Sequence, residues 1–168
     1  MGTGSASAAE AEFLIRKPRA GEEQALAKLH VECWRQTYSR LLPPDYFSQD
    51  LVAQRLPMWQ TIVGASAELP VAVAERDGAL IGFALAGAPT CPDPPRPLKL
   101  YNLYLHADHY GCGAGQALID AVIGEQPAFL WVAQDNPRAQ AFYARNRFHA
   151  DGAVVTEDIG LTEVRLIR

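Results

Sequence analysis

The residues with the clearest chemical potential are three glycines within five positions, Gly111, Gly113 and Gly115. They follow a segment that alternates like a strand and precede one with the apolar period of a helix. Glycine adopts a positive φ at little cost and lets a ligand approach the backbone closely. Successive N–H groups at a helix start form an anion site, to which the helix dipole adds about half a positive charge. The cluster predicts a phosphate or pyrophosphate site, and the alternative is a tight turn without a ligand.

Two common phosphate-binding patterns do not fit this cluster. A P-loop requires a lysine after its last glycine, and Gln116 follows Gly115. The dinucleotide-binding pattern also fails, because its third glycine, counted from Gly111, falls on Gln116. The cluster therefore needs a third explanation.

The segment from Leu103 to Leu118 resembles the acetyl-CoA motif of the GNAT superfamily of acyl-CoA-dependent N-acyltransferases. That motif reads [QR]xxGx[GA] and follows a strand that ends in an aliphatic residue. Gly113 and Gly115 match it, and Tyr110 stands where the family usually has Gln or Arg. The resemblance implies that the backbone amides of this turn hold the pyrophosphate of acetyl-CoA.

A second segment supports the same resemblance. The run from Asn136 to Tyr143, followed by Phe148, resembles the family motif NxxAxxFYxxxGF, with Arg147 in place of its glycine. Asn136 is also a favoured helix N-cap before Pro137. The resemblance extends from about residue 12 to the end of the chain. It implies the GNAT fold of the α/β (α+β) class, with a mixed, mostly antiparallel sheet of six to seven strands and about four helices.

The resemblance also implies an enzyme, an N-acetyltransferase that uses acetyl-CoA. Tyr143 would give a proton to the departing CoA thiolate, since a phenol with a pKa of about 10 stays protonated at neutral pH. We expect Phe142 to be the more buried neighbour and to leave the Tyr143 hydroxyl free. The residues expected to bind acetyl-CoA are Leu103, Tyr104, Leu105, Tyr110, Gly111, Cys112, Gly113, Ala114, Gly115, Gln116, Asn136, Ala139 and Tyr143.

The acceptor implied by the resemblance is a primary amine, either a small molecule or a protein amino group, that attacks the thioester directly. Its expected contacts are Trp34, Tyr38, Tyr101 and Asn102. The alternative function is a non-catalytic acyl-CoA-binding sensor. An acyl-cysteine intermediate on Cys112, at the start of a helix, is a less favoured route because the family transfers the acyl group directly.

Direct attack requires the amine to lose a proton. An amine with a pKa of about 10.4 is only ~0.04% neutral at pH 7, which costs about 4.6 kcal/mol. The strand that leads into the glycine turn carries no carboxylate. The candidates that remain open are a water held by Tyr101 and Asn102, the carboxylate of Glu32, and the carboxylate of Glu75.

Composition limits the remaining possibilities. The chain has 168 residues, 49% of them hydrophobic, which predicts a single globular domain. The family resemblance implies an acetyltransferase domain at residues 12–168, after a flexible tail expected at residues 1–11. A net charge of −4 argues against nucleic-acid binding. Scattered cysteines and the lack of a long apolar run predict a cytoplasmic protein without a membrane span. His106 and His109 lack a third ligand at metal spacing, so no metal is expected, and a homodimer is left open.

Periodicity and helix breakers predict the elements that position these residues. Strands are expected at 13–16, 71–75, 79–86, 98–105, 129–134, 154–155 and 162–167. Helices are expected at 22–38, at 48–63 with an interruption at Pro57, after the glycine cluster, and after Asn136. This order predicts a mixed α/β or α+β arrangement with a core on both faces of one sheet.

Overall fold

The computed structural model describes residues 12–168, and the tail predicted at residues 1–11 lies outside them. The strands are β1 (Leu14–Arg16), β2 (Val71–Arg76), β3 (Ala79–Gly87), β4 (Leu98–Leu105), β5 (Ala128–Ala133), β6 (His149–Thr156) and β7 (Thr162–Ile167). The helices are α1 (Glu23–Tyr38), α2 (Leu51–Gly64), α3 (Ala114–Val122) and α4 (Pro137–Arg145). Short 3-10 turns occur at Pro44–Ser48 and Ala107–His109.

The seven strands form one sheet in the order β1-β2-β3-β4-β5-β7-β6. Every neighbouring pair is antiparallel except β4 and β5, which run parallel. Parallel neighbours need a crossover, and the chain makes it through α3. The predicted mixed, mostly antiparallel sheet with about four helices is confirmed.

Both faces of the sheet are covered, and β2 shows how. Four successive residues of β2 are buried because its side chains alternate between two cores. Val71 and Val73 pack with α1 and α2 around Trp59. Ala72 and Ala74 point to the other face, where they pack with α3 and its residue Leu118. The predicted core on both faces is therefore present.

The predicted interruption at Pro57 is wrong, because α2 continues through it from Leu51 to Gly64. Proline lacks an N–H, so the hydrogen bond to the carbonyl of Ala53 is lost. Both residues are exposed, and water can satisfy that carbonyl. Trp59 and Ile62 are buried on another side of the helix, and their packing outweighs the loss.

The predicted strand at 154–155 is too short, because β6 begins at His149. Asp151 and Gly152 are residue types that favour turns. They form a bulge instead, with a register shift between Ala150 and Val154 and a φ of +92° at Gly152. Turn-forming residues therefore lie inside a strand where the ladder shifts.

No helix within residues 12–168 has the length and apolar character needed to cross a membrane.

A buried histidine makes the stability of this fold depend on pH. His30 is 3% exposed, lies among the rings of Trp59, Phe83 and Tyr104, and has no hydrogen-bond partner for its Nδ1 in the described chain. Burial lowers the pKa of His30 from 6.5 to about 3, and the nearby charge of Arg55 lowers it further. The unfolded chain thus binds a proton between these two pKa values that the folded chain does not.

We therefore expect the free energy of unfolding to decrease below pH 6.5, with His30 contributing up to about 1.4 kcal/mol per pH unit. Urea unfolding between pH 7.5 and pH 4.5 measures this slope. His30→Leu should flatten it, whereas His149→Leu, at an exposed site, should not. Equal slopes in wild type and His30→Leu would contradict the assignment.

Candidate active site

β4 and β5 lie side by side only near their first residues. Their parallel ladder joins Leu98–Lys99 to Ala128–Phe129 and extends no further along these two described strands. From Leu100 to Leu105, the β5 side of β4 borders a gap in place of a strand. Backbone N–H and C=O groups on this edge need hydrogen-bond partners, which a ligand in the gap can supply.

The separation of the two strands coincides with a β-bulge in β4. Leu85 pairs with Asn102 and Ala86 pairs with Leu100, so Tyr101 is an extra residue in β4. A bulge bends its strand and increases the local twist. The bulge therefore accounts for the different directions that β4 and β5 take.

The glycine cluster forms the turn from β4 into α3. Gly111 and Gly113 have φ angles of +81° and +90°, a conformation that glycine adopts most readily. Gly113 is the N-cap of α3, and no described side chain caps this helix. The first N–H groups of α3 therefore remain available beside the positive end of the helix dipole. An anionic group is the ligand that this turn favours.

α4 contributes another wall of the gap. The side chain of Asn136 accepts a hydrogen bond from the Ala139 N–H at 3.1 Å, which confirms Asn136 as the N-cap. The expectation that Phe142 is the more buried neighbour is wrong, because Tyr143 is 8% exposed and Phe142 is half-buried. The Tyr143 ring packs edge-on against Phe148 in the core and still forms part of the cavity wall.

Three tyrosines meet at this wall. The hydroxyl oxygens of Tyr38 and Tyr104 lie 3.4 Å apart, and Tyr143 lines the same cavity. Burial raises the pKa of all three phenols, and the nearby Tyr38 raises the pKa of Tyr104 and Tyr143 further. The three hydroxyls therefore stay protonated at neutral pH and can act as hydrogen-bond donors.

Arg138 packs against an unusual residue in the glycine turn. Its guanidinium carbon lies 3.3 Å from the centroid of the Tyr110 ring, and both residues line the cavity. This is the geometry of a cation–π contact. A positive charge from α4 therefore lies at Tyr110, the position where the sequence motif usually has Gln or Arg.

The gap is a cavity of about 430 Å³. Its wall contains the following residues that the sequence predicts to bind acetyl-CoA or the acceptor: Tyr38, Tyr101, Asn102, Leu103, Tyr104, Leu105, Tyr110, Gly111, Gly113, Gly115, Gln116, Asn136, Ala139 and Tyr143. Cys112, Ala114 and Trp34 lie outside the wall. Ala114 is fully buried in the core, and Trp34 packs against Tyr38 and Tyr46.

Part of the wall was not predicted from the sequence, namely Thr37, Leu100, Leu130, Trp131, Val132, Arg138, Phe142 and Arg145. The three β5 residues, 130–132, face the gap only because β4 turns away, and neither strand shows this in its own sequence. Arg138 was detectable, since it is a charged residue inside the second motif.

The two carboxylates considered as bases lie away from the cavity wall and have other partners. Glu75 accepts a hydrogen bond from the Arg16 Nε at 2.7 Å. Glu32 accepts hydrogen bonds from Arg35 at 3.1 Å and from Gln36 at 3.4 Å. Within residues 12–168, no group of three or more His, Cys, Asp or Glu side chains is arranged to hold a metal ion.

Comparison with known proteins identifies the family. The model of the acetyltransferase (GNAT) family matches residues 24–148. The chain belongs to the GNAT family. It is 26% identical to the uncharacterized N-acetyltransferase YuaI of Bacillus subtilis over 129 residues, which is 73% of each chain. It is 25% identical over 159 residues to a probable N-acetyltransferase of Mycobacterium tuberculosis, covering 84% of this chain and 83% of the relative.

Solved structures share the GNAT fold. The PaiA N-acetyltransferase of Thermoplasma acidophilum, solved in complex with coenzyme A, matches with a TM-score of 0.66 and 20% identity. That match covers 92% of this chain and 98% of PaiA. A protein of Pyrococcus horikoshii matches with a TM-score of 0.70 and 18% identity, covering 94% and 98% of the two chains. At these identities the similarity supports the fold.

One departure from the GNAT motif lies in a turn with left-handed backbone. Arg147 replaces the usual glycine after α4, yet it has a φ of +67°. Left-handed backbone costs a residue with a side chain about 1–2 kcal/mol. The exposed ion pair of Arg147 with Glu125 recovers only part of that cost. The turn into β6 is therefore kept with a residue that is less suited to it.

The edge of β4 that faces the cavity depends on a small residue in β3. A Cβ atom on Gly82 would lie 2.7 Å from the Tyr104 carbonyl oxygen and 2.9 Å from the Leu105 Cδ1. Gly82→Ala must therefore shift the end of β4, and we expect it to destabilise the fold and to weaken acetyl-CoA binding at least tenfold. Thermal unfolding and calorimetric titration with acetyl-CoA measure the two effects.

Gly87→Ala is the matched control in the same strand. A Cβ atom there meets only the Tyr101 ring, at an ordinary contact distance of 3.6 Å. If both variants bind acetyl-CoA like the wild type, the close approach at Gly82 does not control the site.

Proposed function

We propose that the chain transfers an acetyl group from acetyl-CoA to a primary amine by direct attack. The observation that carries this proposal is the cavity between β4 and β5, with the glycine turn and a buried tyrosine on its walls. The acceptor class is a small-molecule amine or a protein amino group. Membership of the GNAT family and the CoA complex of PaiA support the donor.

Residues along the cavity fit successive parts of acetyl-CoA, from the pyrophosphate to the thioester. The free N–H groups at the start of α3 suit the pyrophosphate, and the cation of Arg138 lies close to them at Tyr110. The exposed edge at Leu103–Leu105 can pair with the amides of the pantetheine arm as a neighbouring strand would. This arrangement directs the thioester toward the three tyrosines.

In the proposed reaction, the amine nitrogen attacks the thioester carbonyl and forms the C–N bond. Backbone N–H groups of β4 stabilise the oxyanion. The C–S bond then breaks, and the Tyr143 hydroxyl gives its proton to the leaving sulfur. The nitrogen returns a proton to the phenolate, which restores Tyr143. A phenol kept protonated by burial suits this role, because it holds its proton until the thiolate forms.

Release of CoA with a panel of primary amines tests the function. We expect at least one amine to be acetylated, and we expect Tyr143→Phe to lower kcat about 100-fold with an unchanged Kd for acetyl-CoA. Tyr46→Phe, on the 3-10 turn outside the cavity wall, is the matched control. Binding of acetyl-CoA without turnover of any amine would identify a sensor instead, and full activity of Tyr143→Phe would remove Tyr143 from the reaction.

The contribution of Arg138 to donor binding can be measured separately. A charge-assisted contact to phosphate is worth about 1.5–3 kcal/mol, so Arg138→Ala should raise the Kd for acetyl-CoA at least tenfold. The effect should decrease as salt is added. Arg19→Ala removes an exposed arginine between β1 and α1, outside the cavity wall, and should bind normally. An unchanged Kd for Arg138→Ala would show that Tyr110 is not compensated in this way.

A further inference from the structure

The proposed reaction needs a group that takes the proton of the acceptor ammonium, and β7 carries a carboxylate in a suitable place. Glu163 pairs with Ala133 of β5, and paired residues in an antiparallel ladder point to the same face of the sheet. Ala133 is fully buried in a cluster with Tyr38 and Leu161. Glu163 therefore lies on the sheet face that packs against Tyr38.

Tyr38 connects this carboxylate to the cavity. It lines the cavity wall, and its hydroxyl lies 3.4 Å from that of Tyr104. Its phenol is also near enough to Tyr143 to raise the pKa of that residue. The negative charge of Glu163 in turn raises the pKa of Tyr38. Tyr38 thus lines the cavity and shares a buried cluster with Ala133, the residue of β5 that pairs with Glu163.

The surroundings of Glu163 suit a proton acceptor. Burial raises the pKa of its carboxyl, the charge of Glu157 raises it further, and Lys99 of β4 lowers it. Two positions further along β7, Arg165 is paired with Asp151 of β6 and leaves Glu163 without that cation. By contrast, Arg16 lowers the pKa of the Glu22 carboxyl, and the Ala153 N–H together with Arg165 lowers the pKa of Asp151.

We propose that Glu163 receives the proton of the acceptor ammonium and that the Tyr38 hydroxyl passes it on. This inference rests on the proposed function. The ammonium gives a proton to the Tyr38 oxygen, the Tyr38 hydroxyl gives its own proton to a bridging water, and that water gives a proton to a Glu163 carboxylate oxygen. The neutral amine then attacks the thioester, and Glu163 later releases its proton to water. The acceptor therefore enters as a cation, and the ionised form of Glu163 is the one that takes its proton.

The pH dependence of kcat/KM, measured with an amine that the wild type acetylates, separates a role of Glu163 in proton transfer from a structural one. Wild-type kcat/KM should reach a plateau once Glu163 is ionised. Glu163→Gln should be about 100-fold slower at pH 7 and should gain tenfold per pH unit, because it depends on amine that is already neutral. The two profiles should converge near pH 9, and the Kd for acetyl-CoA should not change.

Four further variants complete the test. Tyr38→Phe should show the same pH profile as Glu163→Gln, and the double variant should be no slower than either. Glu163→Asp should recover part of the activity, and Asp158→Asn, an exposed neighbour, should behave like the wild type. If Glu163→Gln does not fold, as judged by its acetyl-CoA Kd, the profile of Tyr38→Phe decides the question.

The outcomes distinguish the two levels of the proposal. If the wild type acetylates no amine, the proposed function fails. If it does, and Glu163→Gln keeps kcat/KM within twofold with an unchanged pH profile, the role of Glu163 is overturned while the function stands. The role is also overturned if Glu163→Gln is slower by the same factor at every pH.

Discussion

The structure depends on a sheet that does not close between β4 and β5. Two residue pairs hold these strands together, and the bulge at Tyr101 turns β4 away from its neighbour. The resulting edge exposes backbone groups inside the protein, where unpaired N–H and C=O groups cost free energy. Most sheets avoid such an edge. Here it is the surface on which the rest of the site is built, since α3 and α4 begin beside it.

The same gap explains the electrostatics of the site. The part of the cavity beside the glycine turn is polar, with free N–H groups at the start of α3 and the cation of Arg138. Another part of the cavity is lined by the phenols of Tyr38, Tyr104 and Tyr143, whose pKa values are raised by burial. A low dielectric keeps these groups neutral and strengthens the hydrogen bonds that they donate to developing charge. In the proposed reaction, this cavity would hold the pyrophosphate beside the glycine turn and stabilise the changing charge of the thioester beside the tyrosines.

Much of this was predictable from sequence, and the failures have physical causes. The glycine turn, the Asn136 cap and the family were predictable because they depend on local backbone chemistry and residue spacing. The continuation of α2 through Pro57 was not, because it depends on packing of Trp59 against another element. The wall formed by β5 and the position of Glu163 depend on pairing between distant strands. Site residues of this kind follow from topology, which no single segment of sequence encodes.

The two cores on opposite faces of the sheet have a consequence for how this protein can change. α1 and α2 pack on one face around Trp59 and Phe83, while α3 and α4 pack on the other around Leu118 and Ile119. Substitutions in separate clusters tend to have additive effects. Residues of α1 and α2, which border the acceptor under the proposed function, can therefore be substituted without repacking the layer that supports the glycine turn. Under the proposed function, related sequences can therefore keep one acetyl-CoA site while substitutions in α1 and α2 change the acceptor.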